Sequence, residues 1–266
     1  MWVRLPPRAS PAPLLIAALA AVAGLAPAAP AAAAWTPDVA AARRFAATRP
    51  GSVAVSVRTP CGVWGFRQDR RMPSASLLKP LLLLSHLHRP QVRSRRLRAA
   101  DRARLGPMIR RSANEPANAL VGELGAAQLQ RDARRWGLTG FRLLDPWGVS
   151  PVTARSQARL WLHLERRLPR RDRAFALRLF EHVVPAQRWG IAQAAPRGWR
   201  LRFKGGWGSG TGWVDHQAAQ LTAPGGRRVA VALLTRDQGT HAQGQATLEG
   251  LARRLLRGLG RTRRHC

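Results

Sequence analysis

The segments typical of β-strands lie near both ends of the chain, and helix-like segments fill the middle. Residues 52–58 alternate polar and apolar side chains as a half-buried strand does, and residues 63–67 follow a Pro-Cys-Gly turn as its hairpin partner. Three more strands and a closing helix are predicted at 200–204, 212–221, 228–235 and 244–256. This order predicts an α+β fold (an α/β sandwich). Both chain ends form one antiparallel sheet, flanked by terminal helices, beside an all-helical lobe.

The middle of the chain carries several helix patterns. Residues 77–88 are apolar on every side of a helix, so this helix is expected to be buried. Thr153 is the predicted N-cap of a long amphipathic helix that ends near Arg167. Residues 90–103 are arginine-rich and are expected to form a surface helix or loop, and residues 147–151 a loop. The other predicted helices span 37–47, 107–111, 116–124, 126–136 and 173–182.

The N-terminal segment is typical of a secretory signal peptide. Arg4 and Arg8 give it a positive start, residues 14–25 are apolar, and small residues follow. The apolar stretch is too short to favour a membrane span, so we expect a secreted, soluble mature protein. The expected segments are a signal peptide at 1–34, one domain at 35–258 and a basic tail at 259–266.

The chain is strongly basic, with 45 Lys and Arg against 13 Asp and Glu and a formal net charge of +32. Loss of the signal segment would leave about +30. This charge favours electrostatic association with anionic cell-wall polymers, or it reflects arginine-rich codon usage alone. No zinc-finger spacing, RNP-type strand or heptad repeat supports nucleic-acid binding, and the histidines show no metal-ligand spacing. We expect a monomer that needs no cofactor.

Only two of the basic residues are lysines, Lys79 and Lys204, and the other 43 (45 − 2) are arginines. A buried proton acceptor must be able to lose its proton, and a guanidinium cannot. Lys79 follows Ser76 by one turn, on the same face of the predicted helix. A serine at a helix start can attack a carbonyl, and a desolvated Lys79 near Lys204 would have a lowered pKa and could act as its base. The alternative is a capping serine with a snorkelling lysine.

Two further short motifs could belong to the same site. Ser112 and Asn114 lie two residues apart between predicted helices, so one loop can direct both side chains into a cleft. The alternative for this pair is an ordinary N-cap. Lys204 is followed by Gly205 and Gly206 at the end of a predicted strand, where glycines let a substrate backbone approach the strand edge. Glycine-rich hairpins are common, so this motif alone is weak.

Together, the ordered motifs Ser-x-x-Lys, Ser-x-Asn and Lys-x-Gly resemble those of the penicillin-recognising serine enzymes, and most closely the class A β-lactamases. The resemblance extends over residues 35–258 and includes Met72-Pro73-Ser74-Ala75 before the serine, and Asn118. It implies a β-lactamase/transpeptidase-like fold and a serine hydrolase that forms an acyl-enzyme. Its substrates would be β-lactams or peptides like those of peptidoglycan.

The resemblance also implies a role for each matching residue. Ser76 would be the nucleophile and Lys79 its proton acceptor. Ser112 would pass the proton to the leaving nitrogen, and Asn114 would orient the amide of the substrate side chain. Lys204 would supply positive charge for a substrate carboxylate. The backbone N–H groups of Ser76 and Trp207 would form the oxyanion hole, with Gly206 beside them in the substrate-binding strand.

Three departures from the family pattern affect what can be expected. Ser76 and Ser112 are 36 (112 − 76) residues apart, which is short for a class A enzyme and predicts a trimmed helical lobe. The chain has no glutamate between Glu123 and Glu165, so the residue that activates the deacylating water is missing, and Asp145 is the nearest acid. Gly205 replaces the usual hydroxyl residue, and one hydrogen bond to a substrate carboxylate is lost unless Ser209 or Thr211 supplies it.

These departures leave three hypotheses open. The first is an exported class A β-lactamase-like hydrolase that deacylates slowly. The second is a D-alanyl-D-alanine carboxypeptidase or other penicillin-binding enzyme of the cell wall. The third is a catalytically weak, basic wall-binding protein.

The two cysteines, Cys61 and Cys266, are too few for a disulfide framework. In the family's sheet the first and last strands are neighbours, which would bring the C-terminal tail near Cys61. The resemblance therefore permits one bridge between the two cysteines, and a free terminal thiol is the alternative.

Overall fold

The computed structural model describes residues 1–4, 34–208 and 213–261. Its internal contacts divide the chain into two units, Met1–Ala32 and Ala33–Cys266. Residues 1–4, the described part of the first unit, are exposed and have no regular secondary structure. Every element described below belongs to the second unit. Within the described ranges, no helix has the length and apolar character needed to cross a membrane.

Seven β-strands form two antiparallel sheets in the described part of the chain. The strands are β1 (Ser52–Thr59), β2 (Gly62–Phe66), β3 (Met72–Pro73), β4 (Pro151–Val152), β5 (Arg200–Trp207), β6 (Val214–Thr222) and β7 (Arg228–Arg236). The large sheet has the order β2-β1-β7-β6-β5, so strands from both chain ends meet at the β1–β7 pair. Strands β3 and β4 form a separate two-stranded ladder. The fold predicted from the sequence is confirmed.

Helices cover both faces of the large sheet. They are α1 (Val39–Ala47), α2 (Lys79–His88), α3 (Pro90–Arg93), α4 (Ala99–Arg110), α5 (Glu115–Arg135), α6 (Ala154–Leu162), α7 (Leu164–Arg167), α8 (Arg173–Glu181), α9 (Ile191–Ala194) and α10 (His241–Leu255). Short 3-10 helices occur at Ala75–Leu78, Trp147–Val149 and Pro185–Gln187. Gly125 has a φ of +70° and breaks α5 into two helical pieces, in agreement with the two helices predicted there.

The alternation of side chains along the strands gives the sheet two different faces. The face toward α6 carries small residues, such as Ala54, Ala218 and Ala232, and belongs to the larger hydrophobic core, which also includes residues of α2 and α5. The face toward α1 and α10 carries larger ones, such as Val55 and Leu233, and belongs to a second core. The small residues let the helical side approach the sheet closely, and the candidate catalytic residues lie at this interface.

Several predicted boundaries differ from the observed ones. The helix predicted to begin at Pro107 is the last part of α4, which begins eight residues earlier. Its start is set by Asp101, whose side chain accepts the backbone N–H of Arg98 at 2.8 Å. The predicted loop at 147–151 contains a 3-10 turn and β4. The long helix capped by Thr153 ends at Leu162, and α7 follows it as a separate turn.

Candidate active site

Ser76 lies in the 3-10 helix that precedes α2, and its neighbours fix the position of this turn. The backbone N–H of Ser74 donates to the carbonyl of Ser150 at 2.8 Å. Nε2 of the buried His216 is 2.8 Å from the carbonyl oxygen of Pro73. Ala75 has a φ of +42°, a left-handed conformation that costs a non-glycine residue about 1–3 kcal/mol. The surrounding contacts therefore hold a strained backbone directly before the candidate nucleophile.

Lys79 begins α2 one turn after Ser76 and is fully buried, with 0% of its surface exposed. Its Nζ donates to the carbonyl of Ser112 at 2.5 Å and to Oδ1 of Asn114 at 2.8 Å, and it lies 3.3 Å from Oγ of Ser112. Burial lowers the pKa of Lys79 from 10.5 to about 7. An amine with this pKa has a substantial neutral fraction near neutral pH and can accept a proton.

Ser112 and Asn114 lie on the turn between α4 and α5, as the sequence predicts. Ser112 has a φ of +59°, a second left-handed non-glycine residue at this site. Asn114 occupies the N-cap position of α5, but its side chain makes no capping hydrogen bond and accepts from Lys79 instead. The pair is therefore not an ordinary cap, because both residues point toward the buried lysine.

Lys204 reaches the same point from the sheet. It is the fifth residue of the eight-residue strand β5 and does not lie at the end of a strand as predicted. The strand continues through Gly205 and Gly206 because it pairs with β6 along its whole length. Nζ of Lys204 donates to Oγ of Ser112 at 2.8 Å and to the carbonyl of Gly205 at 2.7 Å. Burial, and secondarily the charge of Lys79, holds the pKa of Lys204 well below its usual value.

Gly206 is the point of closest approach between β5 and the serine turn. A Cβ placed on Gly206 would lie 2.8 Å from the backbone nitrogen of Ser76 and 3.0 Å from that of Leu77. A Cβ essentially never approaches a backbone atom closer than 3.0 Å, so a side chain at position 206 would push the turn away. Glycine is thus required here by space, which the sequence pattern alone could not establish.

The backbone of Trp207 is oriented toward the open edge of the sheet. Strand β5 is an edge strand, and the N–H of Gly208 donates to Val214 on β6 at 2.9 Å. Successive residues of an antiparallel strand point their backbone groups to opposite sides, so the N–H of Trp207 points away from β6. The amides of Ser76 and Trp207 are therefore both available near Gly206, as an oxyanion hole requires.

These elements border a cleft of about 410 Å³. Its described lining residues are uncharged: Ala75, Ser76, Asn114, Asn118, Pro146, Trp147, Gly148, Val149, Trp207, Gly208, Trp213 and Val214. Three of them are tryptophans. The predicted substrate-binding residues Asn114 and Trp207 are among them, whereas Lys79 and Lys204 lie buried beside the cleft.

Trp147 is a site residue that the sequence pattern did not reveal. Its ring centre lies 5.3 Å from Nζ of Lys79, and its Nε1 donates to Oδ1 of Asn118 at 2.7 Å. The contact depends on how the 147–149 turn packs against the serine turn, which no local pattern predicts. The sequence offered one clue to a role for Trp147, because it lies in the stretch where the family pattern has a glutamate and this chain has none.

Asp145, the acid nearest that missing glutamate, is exposed and is not among the residues that line the cleft. The cleft residues that the structure describes include no carboxylate. Ser209 and Thr211, the candidates for the missing hydroxyl, lie outside the described residues.

The space above Gly205, where the family has a hydroxyl side chain, is occupied by indole rings. A Cβ on Gly205 would be 3.5 Å from atoms of both Trp189 and Trp207. These two rings contact each other edge to face at 6.0 Å, and His241 contacts both of them. Nδ1 of His241 is 2.5 Å from Oδ1 of the buried Asp215. This contact fixes the imidazole against which both indoles pack.

Cys61 is disulfide-bonded. Cys266 lies outside the described residues, and the pairing of the two stays a prediction. Within the described ranges, no group of three or more His, Cys, Asp or Glu side chains could hold a metal ion.

The fold and the site together define a class: an α+β protein of the β-lactamase/transpeptidase fold with a serine and two buried lysines beside its edge strand. The chain belongs to the beta-lactamase enzyme family, whose model matches residues 105–259. This span includes Ser112, Asn114 and Lys204 and begins after Ser76 and Lys79. None of the curated proteins compared with the chain matches it.

Solved structures of low sequence identity share the fold. A beta-lactamase from Burkholderia vietnamiensis superposes with a TM-score of 0.74 at 19% identity, over 84% of this chain and 96% of that one. A class A beta-lactamase from Mycobacterium abscessus gives a TM-score of 0.72 at 19% identity, over 84% and 99%. PBP-A gives 0.71 at 17% identity, over 85% and 96%. These identities establish the fold alone.

Proposed function

We propose that this protein is a serine hydrolase that is acylated on Ser76 by β-lactams or related amides and releases the acyl group slowly. The observation that carries the proposal is the position of Ser112 between two buried amines. Its Oγ is 2.8 Å from Nζ of Lys204 and 3.3 Å from Nζ of Lys79. Burying two amines together is unfavourable, so a fold that retains them has a chemical use for them.

Each residue has a defined task in this mechanism. Neutral Lys79 accepts the proton of Ser76 as its oxygen attacks the carbonyl. The N–H groups of Ser76 and Trp207 stabilise the oxyanion, and Gly206 leaves room for it. Ser112, which accepts from Lys204, can pass its own proton to the leaving nitrogen and regain one from protonated Lys79, whose Nζ is 3.3 Å from its Oγ. Asn114 keeps Lys79 in place and presents its amide to the cleft.

The proposal is tested by covalent labelling. Wild-type protein incubated with a fluorescent penicillin should gain the mass of one acyl group, and Ser76→Ala should gain none. Ser85→Ala is the matched control, because Ser85 is a buried serine of α2 that does not line the cleft and should leave labelling unchanged. Labelling of Ser76→Ala at the wild-type rate would reject Ser76 as the nucleophile. No labelling of the wild type would favour the wall-binding hypothesis.

Slow deacylation is proposed because the described cleft lining offers no carboxylate to activate water. Loss of a general base typically costs about 10²–10⁴-fold in rate. A chromogenic cephalosporin should give a burst of about one product per protein and then a slow steady state. Fast linear turnover would show that another base works, and Asp145→Asn would then identify or exclude Asp145.

A second candidate is a D-alanyl-D-alanine carboxypeptidase of the penicillin-binding type. The same absence of a cleft carboxylate supports it, and so does the shared fold of PBP-A, of which a variant was solved as an acyl-enzyme complex with penicillin G. A peptide ending in D-Ala-D-Ala decides between the two. Steady release of D-alanine with no comparable hydrolysis of the cephalosporin would favour the carboxypeptidase.

We further propose that the protein is exported and binds anionic cell-wall polymers. The signal-like N-terminal segment and the net charge of +32 support this. Retention on isolated cell walls should fall steeply as salt is raised, because screening weakens exposed charge pairs. Retention that is independent of salt would contradict it.

A further inference from the structure

The cleft beside Ser76 differs in chemistry from the rest of the molecule. Charged residues make up 22% of the chain, yet every described residue that lines the cleft is uncharged, and a quarter of them are tryptophans. The two cations of the candidate site, Lys79 and Lys204, are 0% exposed and are not among the lining residues. A substrate side chain in this space therefore meets flat apolar surfaces and amide groups.

The indole of Trp147 is held rigidly on one part of this lining. Its Nε1 donates to Oδ1 of Asn118 at 2.7 Å, and its ring centre lies 5.3 Å from Nζ of Lys79. The first contact occupies the N–H edge of the ring, and the second places an amine over the ring. The ring is thereby fixed before any substrate arrives, so little conformational entropy is lost when a group packs on it.

Trp213 contributes a second indole at the start of β6. It is 38% exposed, which distinguishes it from the other large hydrophobic residues described between 34 and 261. Its ring lies against Gly208, because a Cβ at position 208 would be 3.2 Å from Cε3 of Trp213. Arg236 approaches the same ring, with its guanidinium carbon 6.0 Å from the ring centre. A partly exposed indole that borders a cleft is a surface for stacking.

We propose that Trp147 and Trp213 recognise a flat aromatic group on the acyl side chain of the substrate, so that the enzyme selects aromatic over small aliphatic acyl donors. Aromatic pairs gain stabilisation beyond the area they bury, and Tyr and Trp supply it at low entropic cost. A charged side chain would lose water on entering the cleft, and none of the described lining residues carries a charge that would offset this loss. The inference rests on the proposed acylation of Ser76 and adds the class of acyl group.

The test uses two penicillins that differ only in the side chain, phenylacetyl in one and acetyl in the other. The acylation rate constant of each is measured by intact mass, and the ratio of the two is compared between variants. Wild type should favour the phenylacetyl compound by about tenfold or more. Trp213→Ala should reduce this ratio to about threefold or less, and Trp213→Phe should restore most of it. The ratio is measured within one protein sample, so partial loss of folded protein cancels.

Trp64→Ala is the matched control, because Trp64 is an indole on β2 that borders a different cavity. It should leave the ratio unchanged. Equal rates for the two penicillins in the wild type would overturn the inference while the acylation proposal stands. A ratio that Trp213→Ala leaves intact would overturn the role of Trp213. Absence of acylation by both compounds would overturn the proposed function, and this inference with it.

Discussion

Arg202 and Lys204 lie two residues apart on the same face of β5, and both are buried, with 3% and 0% of their surfaces exposed. Arg202 is fully compensated. It donates to the carboxylate of Glu181 at 2.8 Å, to that of Glu165 at 3.2 Å and to Oε1 of Gln220 at 3.0 Å. Lys204 has the hydroxyl of Ser112 and the carbonyl of Gly205 as its hydrogen-bond acceptors and no carboxylate within ion-pair distance in the described structure.

The difference indicates that Arg202 stabilises the fold, whereas Lys204 serves the proposed reaction. Two carboxylates offset the desolvation of Arg202, which ties β5 to α7 and α8. The pKa of Lys204 is lowered because nothing comparable offsets its burial. A guanidinium suits the first position because its planar group donates to two carboxylates at once, and the compact amine suits the second because it places a donor against the hydroxyl of Ser112. The comparison predicts opposite effects of substitution at these neighbouring positions.

Removing each cation should give the largest and clearest contrast. Arg202→Met leaves Glu181 and Glu165 without their buried partner and should lower the free energy of unfolding by about 3–5 kcal/mol, with acylation of the folded fraction retained. Lys204→Met removes an uncompensated amine and should unfold at a denaturant concentration near or above that of the wild type, with acylation lost. Denaturant titration and penicillin labelling measure the two effects. Equal destabilisation by both variants would contradict the assignment of a structural role to Arg202 and a different role to Lys204.

Lys79→Arg tests whether the amine must lose its proton. The substitution keeps the positive charge, but a guanidinium cannot act as a base, so acylation should fall by about two orders of magnitude or more. Stopped-flow or intact-mass kinetics with penicillin G measure the loss, and a thermal melt checks that the variant is folded. Acylation within a few-fold of the wild type would contradict the base role of Lys79.

The pH dependence of acylation should report the same amine. Burial lowers the pKa of Lys79 to about 7, and only its neutral form can accept the proton of Ser76. Below that pKa the neutral fraction falls about tenfold per pH unit, so the rate constant should rise with pH and level off above about pH 7. A profile that stays flat across neutral pH would place the base elsewhere.

Lys204→Arg should have the smallest effect of the set. The positive charge beside Ser112 survives and only its geometry changes, so we expect a loss of about tenfold, clearly less than for Lys79→Arg. The same labelling assay decides the order. A larger loss at position 204 than at position 79 would reverse the roles assigned to the two lysines.

The sequence predicted those parts of the molecule that depend on local pattern and motif order. The alternation in β1, the apolar helix after Ser76 and the closing helix α10 follow from side-chain periodicity. The convergence of Lys79, Ser112, Asn114 and Lys204 followed from the resemblance, and the distances now show that they meet.

The rest depended on tertiary packing. The sequence predicts a helix start at Pro107, whereas α4 begins eight residues earlier, at Ala99, where the side chain of Asp101 accepts the backbone N–H of Arg98. Trp147 joins the site through contacts with Lys79 and Asn118 that are distant in sequence. Glycine is needed at 206 because the backbone nitrogen of Ser76 packs against this position. The two positions are distant in sequence, so no local pattern predicts the contact.

The burial of both lysines has a practical consequence for handling the protein. Apart from a chain terminus, its primary amines are Lys79 and Lys204, and both are fully buried. Reagents that acylate or reductively alkylate amines, and surfaces that immobilise proteins through lysine, therefore find almost nothing to react with while the fold is intact. The same reagents would modify both positions once the chain opens. Amine modification at these two positions thus reports whether the fold around them is intact, with no substrate present.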